Sequence, residues 1–185
     1  MNYLILFLAV LIGYFLALIL KVKEVKKLSI YLAFSGAFLL ALTIFELLPD
    51  VYETPNKLIG VYIISGILLQ IILEFFSQGI EHGHGHLQNK TVPISMLVSL
   101  AIHAYLEGMP LGGIEHHGHS HAHFEDSLLT GIALHKIPVT IVLMSLFAQA
   151  GFSKTKSFIL IGIFALMAPL GTLSGNVVQE LSHYH

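Results

Sequence analysis

The chain has 185 residues, of which 55% are hydrophobic and only 11% charged. Soluble domains carry roughly 25% charged residues, so the solvent of this chain is mostly lipid. The formal net charge is −2 and all nine basic residues are lysines, with no basic stripe interleaved with aromatics. That pattern excludes the footprint of a nucleic-acid binder, and the absence of cysteine excludes disulfides and thiolate metal ligands together.

Apolar runs long enough to cross a bilayer, about 20 residues each, fall at 1–20, 28–49, 58–80, 93–113, 127–149 and 157–178. The expected fold is therefore all-α, a polytopic membrane bundle of six helices forming one transmembrane domain over residues 1–185. The first run has no basic residues ahead of it and no small-residue cleavage site, so it reads as an anchor and not as a signal peptide. Lys21, Lys23, Lys26 and Lys27 follow the first run, Lys90 lies in the third connection, and Lys154 and Lys156 in the fifth. The opposite side has Lys57 beside Asp50, Glu53, Glu115, Glu125 and Asp126. Lysine bias sets orientation, so the first, third and fifth loops are expected in the cytoplasm and the N-terminus outside.

Histidine, at twelve residues, is unusually common for a membrane protein of this size, and two loops concentrate it. "EHGHGH" (81–86) carries His82, His84 and His86, within a loop read as 81–90. "EHHGHSHAH" (115–123) carries His116, His117, His119, His121 and His123, within a loop read as 114–126. Glycine-spaced histidines form several alternative, loosely defined sites for Zn²⁺ and similar ions. By the orientation above, one such loop faces each side of the membrane.

The fourth run, in "SLAIHAYLEGMPLG" (99–112), places His103 and Glu107 at lipid depth, and the fifth places His135 and Lys136 there. Ionisable residues inside a span are costly and are functional candidates by default. His103 and Glu107, four residues apart, share one helical face, and His135 on the next helix offers a third ligand. Two imidazoles and a carboxylate suit Zn²⁺ and also Fe²⁺, Mn²⁺ or Cd²⁺. Pro110 and Pro138 each stand three residues beyond a member of the set, where each frees a backbone carbonyl. Freed carbonyls at membrane depth point to a hydrated cavity. Gly108, Gly112 and Gly113 allow close helix approach. Glu46 and Asp50, ending the second run, are candidates for attracting cations at an entrance. Gln70 and Glu74 in the third run read as scaffold contacts.

"HAYLEGMPLG" (103–112) and "HKIPVTI" (135–141) resemble the fourth and fifth helices of the ZIP (Zrt/Irt-like) divalent-metal transporters. "PLGTLSG" (169–175) is similar to the family's sixth-helix segment, and a His-rich loop between the third and fourth helices is also common there. The resemblance implies transport of divalent cations into the cytoplasm, with Zn²⁺ as cargo, no prosthetic group, and His103, Glu107 and His135 as ligands. Ala104, Lys136, Val139 and Ala168 depart from positions where many members carry further metal-binding side chains. The His-Lys-x-Pro form resembles one branch of the family, and the missing ligands imply a mononuclear site in which the Lys136 ammonium substitutes for a second cation. Members usually have eight helices, so a chain stopping at "QELSHYH" reads as a truncated one. Divalent metal ions and the lipid bilayer are the expected partners, and a homodimer is the candidate assembly. Two other functions compete: an intramembrane zinc-dependent hydrolase, which lacks an HExxH motif, and a sensor or store built on the His loops.

Overall fold

A computed structural model describes residues 2–20, 25–53, 56–77, 92–112 and 119–182. Every long element is an α-helix, and no strand occurs among the described residues. Helix α1 spans Asn2–Leu20 and α2 spans Val25–Leu42. A π-helical turn, Thr43–Leu47, continues α2 into the short α3, Leu48–Glu53. The Leu48 N–H donates to the Thr43 carbonyl, five residues back, and Pro49, which has no N–H to donate, follows at once. The wider turn thus falls where the ordinary ladder would lose a bond anyway.

Helix α4 spans Ile59–Ser77. It starts at Asn56, whose side-chain Oδ1 accepts from the Leu58 N–H at 2.9 Å, the local bond that makes asparagine a good helix starter. Helix α5 spans Val92–Gly108 and tightens into a 3₁₀ turn, Met109–Gly112, that contains Pro110. Helix α6, His119–Gln149, and helix α7, Lys154–Ser182, are the longest, with Pro138 and Pro169 inside them. The segment expected to be loop up to residue 126 is thus helical from His119 onward.

The α6–α7 link closes by a glycine cap. Gly151 takes φ 74°, the Phe152 N–H donates to the Phe147 carbonyl at 3.0 Å, and the Gly151 N–H to Ala148 at 3.1 Å. The Phe147 and Phe152 rings stack across the cap at 5.3 Å. This is the paired-bond ending that needs a left-handed residue just past the helix. Ser153 then caps α7 by accepting from the Lys156 N–H at 3.2 Å.

Among the described residues, five stretches are long and apolar enough to cross a membrane: Asn2–Leu20, Leu32–Glu53, Ile94–Gly112, Asp126–Gln149 and Lys154–Leu181. Ile59–Phe75 is apolar but shorter. Helix α6 is central, with 72% of its apolar window buried against 28% for α1. The main core joins α1, α5, α6 and α7 through Val10, Tyr14, Met96, Leu100, Val142, Phe147, Ile161 and Phe164. Helix α2 packs beside α6, and α4 beside α5. Along α4, Val61, Ile64, Leu68, Ile71 and Ile72 are exposed, the outward apolar face expected of a helix that meets lipid.

Two kinds of contact position the ligand-bearing helices. Between α5 and α7 the backbones nearly touch. A Cβ on Gly108 would strike the Ala168 carbonyl, one on Gly112 that of Thr172, one on Gly171 that of Tyr105 and one on Gly175 that of Met109. Four glycines therefore mesh from both sides, as in small-residue packing of membrane helices. The Thr172 hydroxyl lies 3.0 Å from the Gly108 carbonyl and 3.1 Å from that of Ala168, so its one proton is shared between the two helices. The "PLGTLSG" segment thus owes its composition to a dry helix seam.

Candidate metal centre

On its other side α5 faces α6 with ionisable groups. His103 and Glu107 project one turn apart from α5, and His135 and Lys136 come from α6. One potential ligand atom from each of His103, Glu107 and His135 lies within 4.8 Å of the other two. Two imidazole nitrogens and a carboxylate oxygen at that spacing fit around one divalent ion.

Glu107 divides its two oxygens between different tasks. Oε2 accepts from the Lys136 ammonium. Oε1 is buried and has no hydrogen-bond partner among the described residues. A buried acceptor left in that condition costs free energy, and a cation drawn to the same three residues would remove the cost. Lys136 is only 2% exposed, and its ammonium also lies 5.6 Å from the centroid of the Phe164 ring, within cation–π range. A buried ammonium and a largely buried carboxylate at lipid depth are tolerable only as a pair.

Both histidines have a bond from a further helix. Nδ1 of His103 lies 3.0 Å from Oε1 of Gln70 on α4, and Nδ1 of His135 lies 3.1 Å from the Ser35 hydroxyl on α2. Gln70, read in the sequence as a scaffold contact, therefore reaches a candidate ligand. An amide at lipid depth needs a polar partner, which was the available clue. Ser35 was not singled out, because a lone serine can satisfy its hydroxyl on its own helix.

The prolines were expected beside a hydrated cavity, and the walls of one neighbouring cavity are defined. A cavity of about 500 Å³ does lie against Pro138, but it is lined by Leu20, Phe34, Ser35, Phe38, Leu134, Pro138 and Ile141. Ser35 contributes the single side-chain hydroxyl to that wall, so it is poorly suited to hold water. Near Pro110, where the helix narrows, Thr172 donates to the backbone.

The remaining candidates stand apart. Glu46 sits exposed in the π-helical turn and is outside the three-residue group. For Asp50 in α3, and for His119, His121 and His123 in the first turns of α6, the description covers the backbone alone. His82, His84, His86, His116, His117 and Gly113 fall outside the described residues.

Compared with known proteins, residues 77–185 match a model of the ZIP zinc transporter family. The chain belongs to the ZIP family. The match takes in α5, α6 and α7, and with them His103, Glu107, His135 and Lys136. No curated protein and no solved structure matches the chain. Membership makes this an integral membrane protein of a divalent-metal transporter family, in which the metal is cargo.

Proposed function

We propose that this ZIP protein carries Zn²⁺ into the cytoplasm through a mononuclear site formed by His103, Glu107 and His135. The observation that carries the reading is the buried Oε1 of Glu107, an acceptor without a donor among the described residues, placed beside two imidazoles. Three protein ligands leave a fourth position for water, which suits an ion that must be both captured and released. Lys136 takes the place of a second cation. Its ammonium neutralises Glu107 when no ion is bound, so the centre does not hold a bare buried carboxylate between cycles. The lysine distribution sets the cytoplasmic face and the family resemblance implies inward movement, with Glu46 and Asp50 near the entrance and a His-rich segment on each face.

The test is Zn²⁺ uptake into proteoliposomes, comparing the 185-residue chain with Glu107→Ala and His103→Ala. Saturable uptake lost in both variants supports the reading. Uptake that survives both substitutions overturns the site. Stoichiometric Zn²⁺ binding without uptake, lost in both variants, supports the site and overturns transport by this chain. A titration ending at one Zn²⁺ per chain, after the His-rich segments are replaced by Gly/Ser, supports the mononuclear assignment, whereas two tightly held ions overturn it.

A further inference from the structure

The two candidate ligand histidines are held in the same way by helices that carry no ligand. The amide oxygen of Gln70 only accepts hydrogen bonds, so at 3.0 Å the Nδ1 of His103 must be the donor. The Ser35 hydroxyl has one proton, and it donates to the Leu32 carbonyl at 3.1 Å. With that proton on Leu32, the contact with His135 Nδ1, also 3.1 Å, takes the imidazole Nδ1–H as its donor, and the His135 tautomer sets the direction. In this arrangement both rings carry a proton on Nδ1 and leave the Nε2 lone pair for a metal. Each bond crosses to a different helix: α4 serves the histidine of α5, and α2 serves the histidine of α6.

We infer that Gln70 and Ser35 are positioning residues of the metal centre, and that α4 and α2 set its metal affinity through these two hydrogen bonds. The inference rests on the reading of His103 and His135 as ligands. A ligating imidazole gains basicity and a fixed orientation from an acceptor on its other nitrogen, and losing that acceptor typically costs 10–100-fold in metal affinity. The bonds are also sensitive to position. Beyond about 3.5 Å such a contact no longer counts as a hydrogen bond, so a shift of α4 or α2 by less than an ångström releases its ring. The ring then loses the acceptor that fixes its tautomer and orientation. Metal affinity is thereby tied to where two outer helices sit, although neither contributes a ligand.

The test uses the full chain in nanodiscs, Zn²⁺ as the probe, and two readouts. Zn²⁺ affinity is measured by competition with a fluorescent chelator after the His-rich segments are replaced by Gly/Ser. The tautomer is read from the ¹⁵N shifts of labelled histidine, with His103→Gln and His135→Gln spectra assigning the signals. Gln70→Leu and Ser35→Ala should each weaken Zn²⁺ binding by about 10–100-fold and reduce the Nδ1–H population of His103 and His135 respectively. Gln70→Glu, whose carboxylate can only accept, should keep the His103 tautomer and bind at least as tightly as the wild type. A merely structural role for Gln70 would move neither the tautomer nor the rescue. Unchanged affinity and tautomer in Gln70→Leu and Ser35→Ala overturn the inference. So does Gln70→Glu weakening binding as much as Gln70→Leu, since the amide would then be donating. His103→Ala separates the two levels. If it leaves Zn²⁺ bound, the metal site itself fails; if it abolishes binding while Gln70→Leu does not weaken it, the positioning role alone fails.

Discussion

Helix α5 meets α7 and α6 in opposite ways. Toward α7 it presents Gly108 and Gly112, and the backbones close on one another with no side chain between them. Toward α6 it presents His103 and Glu107, and the facing groups are His135 and Lys136. One face is held by shape and is dry. The other is held by charge and includes a buried oxygen with no donor among the described residues. Adjacent residues, Glu107 and Gly108, belong to the two different faces. A membrane helix can therefore hold a costly polar cluster steady if its opposite side is fastened by close backbone packing, here supplemented by the Thr172 hydroxyl.

The comparison is most strongly tested on the charged face. Lys136→Met leaves the Glu107 carboxylate buried without its ammonium, and should destabilise the metal-free protein by about 3–5 kcal/mol. Adding Glu107→Gln to Lys136→Met should recover most of that loss, and saturating Zn²⁺ should recover part of it in the single variant. Denaturation in mixed micelles measures all three. A single variant as stable as the wild type would mean that the pair does not hold this face together.

On the dry face the expected loss is smaller. Gly171→Ala places a methyl group against the Tyr105 carbonyl, and overpacking of this kind costs about 1–3 kcal/mol. The same unfolding assay should show it, and Gly108→Ala should behave alike because its methyl meets the Ala168 carbonyl. Thr172→Val removes the hydroxyl shared between α5 and α7, for a loss of about 0.6–1.7 kcal/mol, the range measured for single polar contacts between membrane helices. The smallest effect belongs to Gly162→Ala. Nothing lies within 4 Å of the added carbon, so alanine's better helix propensity should leave stability unchanged or raise it by about 0.5–1 kcal/mol. Equal losses at Gly162 and Gly171 would show that glycine matters here for some reason other than the seam.

The all-α membrane bundle was legible in the sequence because apolar runs of bilayer length have few other uses. The family was legible in two short motifs around His103 and His135. What could not be read were contacts between residues far apart in the chain. Gln70 meets His103 across 33 residues and Ser35 meets His135 across 100, and neither spacing leaves a periodic trace. Pro138 invited the expectation of a water-filled cavity at the site; which neighbours wall the cavity beside it was not legible, and α2 supplies Phe34 and Phe38 there. The helical start at His119 was missed for a related reason. Glycine-spaced histidines look irregular, yet His119, His121 and His123 lie in the first turns of α6.

The meshed glycines have a mechanical consequence. Where backbone rests on backbone, few side-chain rotamers are available to absorb a displacement, so α7 and α5 are expected to move together at this seam. Glu107 sits one residue from the contact of Gly108 with Ala168. Helix α7 supplies none of the three candidate ligands, yet it works as a handle for one of them: whatever tilts α7 at its Lys154 end steers the carboxylate in the middle of the bundle.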